Sequence, residues 1–295
     1  MTFRVGLLGT GPWAEIAHAP ALSGHPGVEF TGVWGRRPEA AADLAARFDT
    51  RAYDDVDALI ADVDAVAIAL PPDVQAPLAA RAAAAGRHLL LDKPLAATVG
   101  EARAVVEAAE ASGVASVVFF TVRFDRTTGE WVDEQAAAGG WFTGRADWLG
   151  SVFAGGDSPF AASPWRREKG ALWDVGPHAL SVLLPVFGDV TDVAAVSGSG
   201  DTVHLALRHA GGAASTATLS LTAPEPAAGV TVELRGERGV LTLPELGEGA
   251  VEALHHAIDA LITAARTGQP HPCDARFALR VTETLAAVEE ALAKR

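Results

Sequence analysis

The chain has a single cysteine, Cys273, in 295 residues, so an internal disulfide is excluded. Between Pro272 and Asp274 this thiol reads as a loop residue and not as a nucleophile. One thiol fits a reducing cytoplasm, the compartment expected here. No run approaches the ~20 uninterrupted apolar residues of a membrane helix, so no membrane partner is expected. Met1-Thr2-Phe3-Arg4 passes directly into a strand-like run, without the basic and apolar regions of a signal peptide. Positive charge is scarce: 23 Lys and Arg stand against 37 Asp and Glu, for a net charge of −14. That balance excludes nucleic acid as the main partner, because phosphate backbones need a basic surface. It leaves room for a phosphate-bearing cofactor, which helix N-termini and local arginines can hold in a negative field. There is no internal repeat, no low-complexity tail and no cluster with metal-ligand spacing. His255 and His256 are adjacent on a helical stretch and diverge.

What remains is an ordinary globular composition, 49% hydrophobic and 20% charged, with length for two domains. The first part alternates strands and helices. Phe3 to Leu8 reads as a buried strand, and Ala14 to Leu22 as the helix after it. Val28 to Trp34 is the next strand, with Pro38 opening a helix through Phe48. Asp54 to Ala61 is a short amphipathic helix, and Asp64 to Leu70 a third strand closed by Pro71-Pro72. Asp73 is the expected cap of the helix through Ala85, with Gly86 ending it. His88 to Leu91 is the fourth strand. Thr98 and Glu101 form a capping box for a helix to Ser112, before a strand from Val114 to Phe120. This alternation predicts a doubly wound parallel sheet.

The pattern then changes. A helix is expected from Thr128 to Ala138, a strand from Thr143 to Phe153 and a loop from Ala154 to Pro164. Several strand-like runs lie between residues 191 and 243, including Val203 to Leu207, Ala217 to Leu221 and Val230 to Arg235. They predict a largely antiparallel sheet. Two helices, about Gly249 to Arg266 and Ala275 to Ala293, close the chain. The reading is an α/β protein with domains at 1–121 and 122–295.

Three short stretches carry chemistry. Gly9-Thr10-Gly11-Pro12-Trp13-Ala14 is G-x-G-x-x-A between a strand and a helix. Gly9 permits the tight turn, Gly11 lets a pyrophosphate reach the backbone, and Ala14 lets the helix pack closely. At the end of the second strand, Gly35 stands where an NAD site usually has an acid, and Arg36 and Arg37 follow. Without the acid a 2′-phosphate is not repelled, and a guanidinium can grip it, so NADP(H) is preferred over NAD(H). Leu89-Leu90-Leu91-Asp92-Lys93-Pro94 ends a buried run in an acid, a lysine and a proline, at the sheet edge where ligands bind. A cis Lys93-Pro94 bond would aim that lysine. In Asp174-Val175-Gly176-Pro177-His178, the acid and the imidazole share a face on helical spacing. Pro177 suits the first turn of a helix and Asp174 its mouth. His18 reads as structural.

Together these motifs resemble the Gfo/Idh/MocA family of nicotinamide-dependent oxidoreductases, over essentially the whole chain. The resemblance implies an N-terminal Rossmann domain and a C-terminal α/β domain with an open sheet. It implies a homodimer or homotetramer formed through that sheet. It also implies a small-molecule substrate, a sugar, polyol or related hydroxyl or carbonyl compound, bound in the cleft between domains. Gly9 to Ala14, Gly35, Arg36, Arg37, Leu70, Pro71, Asp92 and Lys93 would then serve the cofactor. Lys93 would hold the reacting oxygen, His178 would lead as proton donor or acceptor, and Asp174 would orient substrate or His178. Whether Lys93 or His178 moves the proton varies across the family. Arg123, Trp165 and Arg166, with Arg167 beside them, are substrate-side candidates. The departures are Asp92 where the family usually has Glu, Gln75 where a histidine is often found, and a short chain. Two other activities share these residues: elimination or glycoside cleavage through transient oxidation, and dinucleotide sensing without turnover.

Overall fold

The computed structural model describes residues 2–155 and 158–294. Positions 156 and 157 of the expected loop, and both chain ends, lie outside the described residues. The first unit comprises Met1–Asp125 and Glu248–Leu279, the second Arg126–Gly247 and Arg280–Arg295. The single boundary expected at 121/122 therefore becomes three crossings. The cause is α10, Ala250–Thr267, which packs on the first unit's strands. It buries Ala253, Leu254, Ala257, Ile258, Leu261 and Ile262 at helical spacing.

In the first unit, apolar runs make the most buried strands. β1 (Phe3–Leu8), β4 (Ala65–Ile68), β5 (His88–Asp92) and β6 (Ser116–Phe119) are joined by β2 (Val28–Trp34) and β3 (Arg51–Tyr53). All pairs are parallel, in the order β3-β2-β1-β4-β5-β6. Leu7, Leu89 and Leu91 are fully buried, each such side chain contributing roughly 1.5–3 kcal/mol. β3 is absent from the sequence reading because its three residues, Arg-Ala-Tyr, carry no apolar run.

Helices α1 (Ala19–Gly24), α2 (Pro38–Arg47), α3 (Val56–Asp62), α4 (Pro72–Ala84) and α5 (Val99–Ser112) connect these strands. A single π turn, Ala14–His18, precedes α1. The Asp55 carboxylate caps α3 by accepting from Asp57 N, so this helix starts later than its expected Asp54. Thr98 caps α5 as expected: Glu101 N donates to Thr98 Oγ1 at 3.2 Å, Thr98 Oγ1 donates to Glu101 Oε2 at 3.0 Å, and the left-handed Gly113 ends the helix. Asp73 is not a cap. Pro71 holds that position, and Pro72, which has no N–H to satisfy, starts the helix two residues earlier than a cap at Asp73 would.

The second unit holds β7 (Trp141–Leu149), β8 (Val190–Ser197), β9 (Val203–His209), β10 (Ala214–Ser220), β11 (Gly229–Gly236) and β12 (Gly239–Thr242). Their order is β12-β11-β7-β10-β9-β8; only β7 and β10 pair in parallel. Along β9 the buried Val203, Leu205 and Leu207 alternate with the exposed His204, Ala206 and Arg208. α9 (Gly176–Phe187) packs on β7 and β10. Pro164–Phe187 is the one stretch among the described residues long and apolar enough to cross a membrane, and 78% of its most apolar window is buried in protein. Remaining helices are α6 (Thr121–Phe124), α7 (Arg126–Ala138), α8 (Pro164–Asp174) and α11 (Ala275–Ala293).

Two buried histidines, His25 and His209, and the half-buried His88 make stability pH-dependent. His25 Nδ1 accepts from Gly27 N, and His88 Nδ1 from Ala115 N. His209 is bound to Gly188 O and Ser215 Oγ. Burial lowers all three pKa values below the ordinary 6.5. The folded state then binds fewer protons than the unfolded chain below pH 6.5, so stability present above that pH is lost as pH falls through it. Each histidine contributes up to about 1.4 kcal/mol per pH unit in that window. Urea midpoints should therefore drop between about pH 7.5 and pH 5.5. A midpoint that holds or rises over that range contradicts this.

Candidate functional site

β1 ends at Leu8 and the chain turns through Gly9-Thr10-Gly11. Gly9 N donates to Trp34 O and Ala69 N to Leu8 O, both at 2.9 Å. These bonds pin the turn at the carboxyl ends of β1, β2 and β4. Gly9 has φ 134°, and a Cβ on it would lie 2.4 Å from the Ala69 carbonyl oxygen, so only glycine fits. A Cβ on Gly11 would meet nothing within 4 Å, so that face of the backbone is open. Ala14, fully buried, starts the helical segment that follows. Tight turn, bare backbone and close-packed helix are what a pyrophosphate needs, at the sheet's topological switch point. The residues present fit a dinucleotide.

The other expected cofactor residues lie along this edge. A Cβ on buried Gly35 would come within 2.7 Å of Thr10 Cγ2, so any side chain there must push the Thr10 side chain aside. Arg36 and Arg37 follow, both exposed, with Arg37 at the N-cap of α2. Leu70 and Pro71 follow β4, half-buried. Arg123, expected on the substrate side and not at the cofactor, is also half-buried and lies in α6 just after β6.

β5 delivers Asp92 and Lys93, and the Lys93-Pro94 bond is cis. This loop is held by Gln75, which has no exposed surface. Its Nε2 donates to Asp92 O at 2.7 Å, Pro94 O at 3.1 Å and Leu95 O at 3.2 Å. Its Oε1 accepts from Asp92 N at 2.9 Å. The Asp92 carboxylate accepts from the Trp13 indole at 3.3 Å and lies 3.2 Å from His18 Nε2.

In the second unit, Gly170 (φ 62°, ψ −162°) breaks α8. Asp201 restarts it: its Oδ2 accepts from Ala171 N at 3.1 Å. Its Oδ1 accepts from Leu221 N, Thr222 N, Thr222 Oγ1 and Ser220 Oγ. The restarted turn ends at Asp174, only 6% exposed. Asp174 thus closes α8 instead of standing at the mouth of α9, because Val175 interrupts the helix. An acid at a helix C-terminus opposes the dipole. Arg166 offsets this by donating from Nε to Asp174 Oδ2 at 3.0 Å. The guanidinium lies 4.8 Å from the Trp165 ring and 5.0 Å from Phe160. So Trp165, Arg166 and Asp174 come together, while Arg167 is exposed and packs over Phe153. His178, half-buried in α9, stacks on Trp148 at 5.0 Å and 11°.

Two family models match the chain. One describes an oxidoreductase family with an NAD-binding Rossmann fold and matches residues 3–120. The other describes the GFO/IDH/MocA C-terminal domain and matches residues 101–242. The chain belongs to the Gfo/Idh/MocA family. Inositol 2-dehydrogenase of Rhizobium meliloti is 35% identical over 127 residues, 42% of this chain and 38% of that protein. The solved structure of GenD2 from gentamicin A biosynthesis, in complex with NAD, superposes with a TM-score of 0.86 at 25% identity. It covers 99% of this chain and 94% of that one. A levoglucosan dehydrogenase complex with NADH and levoglucosan shares the fold, with a TM-score of 0.86 at 23% identity, covering 100% and 98%. The chain spans 34%, 62% and 38% of the first three curated relatives it matches.

Against the Gfo/Idh/MocA pattern, Gln75 is a departure that the structure accounts for, since it carries the Lys93 loop. Sequence reasoning did not assign Gln75, His18, Trp148 and Asp201 these contacts. A signal existed for two of them. Gln75 sits among Pro72, Ala76, Ala79 and Ala83 on the buried stripe of α4, and His18 among buried alanines. A polar group on a buried stripe needs a partner. His255 and His256 diverge as expected, bonding Ala21 O and Phe124 O respectively. Cys273 forms no disulfide and is fully buried. Among the described residues no group of three His, Cys, Asp or Glu is placed to hold a metal ion.

Proposed function

We propose that this chain is an NAD(P)-dependent dehydrogenase or reductase acting on a hydroxyl or carbonyl carbon of a sugar, polyol or similar compound. The observation that carries this reading is the placement of Lys93. It leaves β5 at the sheet edge that bears the Gly9–Ala14 turn, beside an acid bonded to that turn's own Trp13. The relatives' substrates, inositol and levoglucosan, support the substrate class. Bound nicotinamide supplies the hydride acceptor or donor. The Gly9-Thr10-Gly11 turn would hold the dinucleotide's pyrophosphate, with Ala14 letting the helix pack close behind it. Lys93, as a cation, stabilises negative charge on the reacting oxygen. His178 moves the proton that must leave or join that oxygen as the carbon changes oxidation state. Its ring is oriented by the Trp148 face. Asp174 and Arg166 form a fixed ion pair for substrate hydroxyls. A panel of sugars and polyols, assayed with both nicotinamide cofactors, tests the reading; no turnover of any member contradicts it.

Cofactor choice follows from Gly35 and Arg36. No carboxylate stands after β2, and Thr10 crowds the position where one would sit. The exposed Arg36 guanidinium suits a 2′-phosphate. The expected result is NADPH binding about tenfold or more tighter than NADH, with Arg36→Ala removing most of that difference. Calorimetric titration measures both. Equal or tighter NADH binding by the parent protein overturns the preference.

A further inference from the structure

His18 has no place in the proposed chemistry, yet it is fully buried beside it. Its Nε2 lies 3.2 Å from Asp92 Oδ2, and its Nδ1 is buried without a hydrogen-bond partner among the described residues. That asymmetry selects a tautomer. A proton on Nδ1 would be a buried donor left unsatisfied, at a cost of about 1–3 kcal/mol. A proton on Nε2 meets a carboxylate oxygen. The ring is therefore a donor to Asp92. The Trp13 indole is a donor to the other oxygen, at 3.3 Å.

Both donors belong to the segment that follows Gly11. Trp13 immediately precedes the π turn Ala14–His18, and His18 closes it. A π turn is rare and frequently marks a functional site. Meanwhile Gln75 grips the Asp92 backbone at both N and O. Asp92 is thus fixed by side chain and main chain together, and Lys93 is the next residue.

We propose that His18 is a positioning residue for Lys93. Acting through the Asp92 carboxylate, it ties the lysine's loop to the helix that begins at the dinucleotide turn. The inference rests on the reading of Lys93 given above. It adds that the lysine is aimed by the dinucleotide-binding segment itself. Asp92 is then the receiver of two N–H donors, and its own chemistry is not used.

The test compares His18→Leu, which removes the donor, with His18→Gln, whose terminal N–H reaches about as far as Nε2. On the purified full chain, His18→Leu should lower kcat by about 10- to 100-fold, with the dinucleotide KM within about threefold of the parent. His18→Gln should recover most of that loss. A second readout needs no turnover. The chain has three lysines, Lys93, Lys169 and Lys294. Acetylation followed by mass spectrometry should show Lys93 reacting about fivefold faster in His18→Leu, relative to exposed Lys294, and near the parental rate in His18→Gln.

Parental kcat and parental Lys93 labelling in His18→Leu overturn the proposal. So does equal loss in the Leu and Gln variants. If His18→Leu does not fold, Trp13→Phe removes the other donor and should show the same two changes at smaller amplitude; no change in either overturns the proposal. Failure of the dehydrogenase reading is separate: it shows as a parent that turns over no substrate, while the labelling comparison still decides the His18 contact.

Discussion

Lys93→Ala should lower kcat by about 10³-fold or more, while dinucleotide affinity stays within about tenfold. The argument is electrostatic. As hydride leaves or joins carbon, charge develops on the attached oxygen, and Lys93 is the cation that β5 places at the dinucleotide edge. Methylene packing is not its contribution, because Gln75, Trp13 and His18 hold the loop through Asp92, Pro94 and Leu95 without it. The variant should therefore fold with a parental melting temperature, which separates lost chemistry from lost structure. His178→Ala is the companion, with an expected loss of about 10²–10⁴-fold and the steepest deficit at the pH where proton transfer limits the rate. Initial rates of nicotinamide reduction measure both. Full activity in the two variants would remove the mechanism.

Gly9→Ala should abolish measurable dinucleotide binding and destabilise the protein, by about 2–4 kcal/mol from backbone strain and displacement of the turn. The added Cβ lies 2.4 Å from a main-chain oxygen, at φ 134°. Backbone does not yield as the tip of a flexible side chain does. The turn must pull away from the end of β4, breaking the register that pins it to Leu8 and Trp34. Gly11→Ala is the control, since its Cβ would meet nothing within 4 Å. That variant should keep the parental melting temperature but bind the dinucleotide about tenfold or more weakly, because a methyl group stands where the pyrophosphate approaches. Thermal melts and calorimetric titration separate the two. Equal stability of both variants would contradict the close approach at Gly9.

The parts of the fold that rest on local pattern were legible. β4 is an uninterrupted, fully buried apolar run, and it stands beside β1 at the centre of the first sheet. Thr98 caps α5 because its bonds to Glu101 close within four residues. The G-x-G-x-x-A turn and the Asp92-Lys93-Pro94 edge lie where strand ends put them. What escaped is set by distant partners. Gln75 meets the main chain around Asp92, and His18 meets its carboxylate 74 positions away. No spacing rule encodes such pairs. The return of α10 to the first unit is of the same kind. Asp174 is a subtler case. Helical spacing couples it to His178, but Gly170 and Val175 interrupt the helix. The ion pair that forms runs back to Arg166, across the kink that Asp201 caps. Glycine-driven breaks move a side chain in ways that periodicity does not carry.

The most direct measurement of the central claim follows the hydride itself. A polyol substrate from the panel, deuterated at the reacting carbinol carbon, is incubated with oxidised dinucleotide and the parent protein, and the reduced dinucleotide is examined by mass spectrometry. The expected result is one deuterium on the nicotinamide ring per product formed, with the rate collapsing in Lys93→Ala. Product appearing with no label retained on released dinucleotide, or the same labelling rate in Lys93→Ala, would contradict the account.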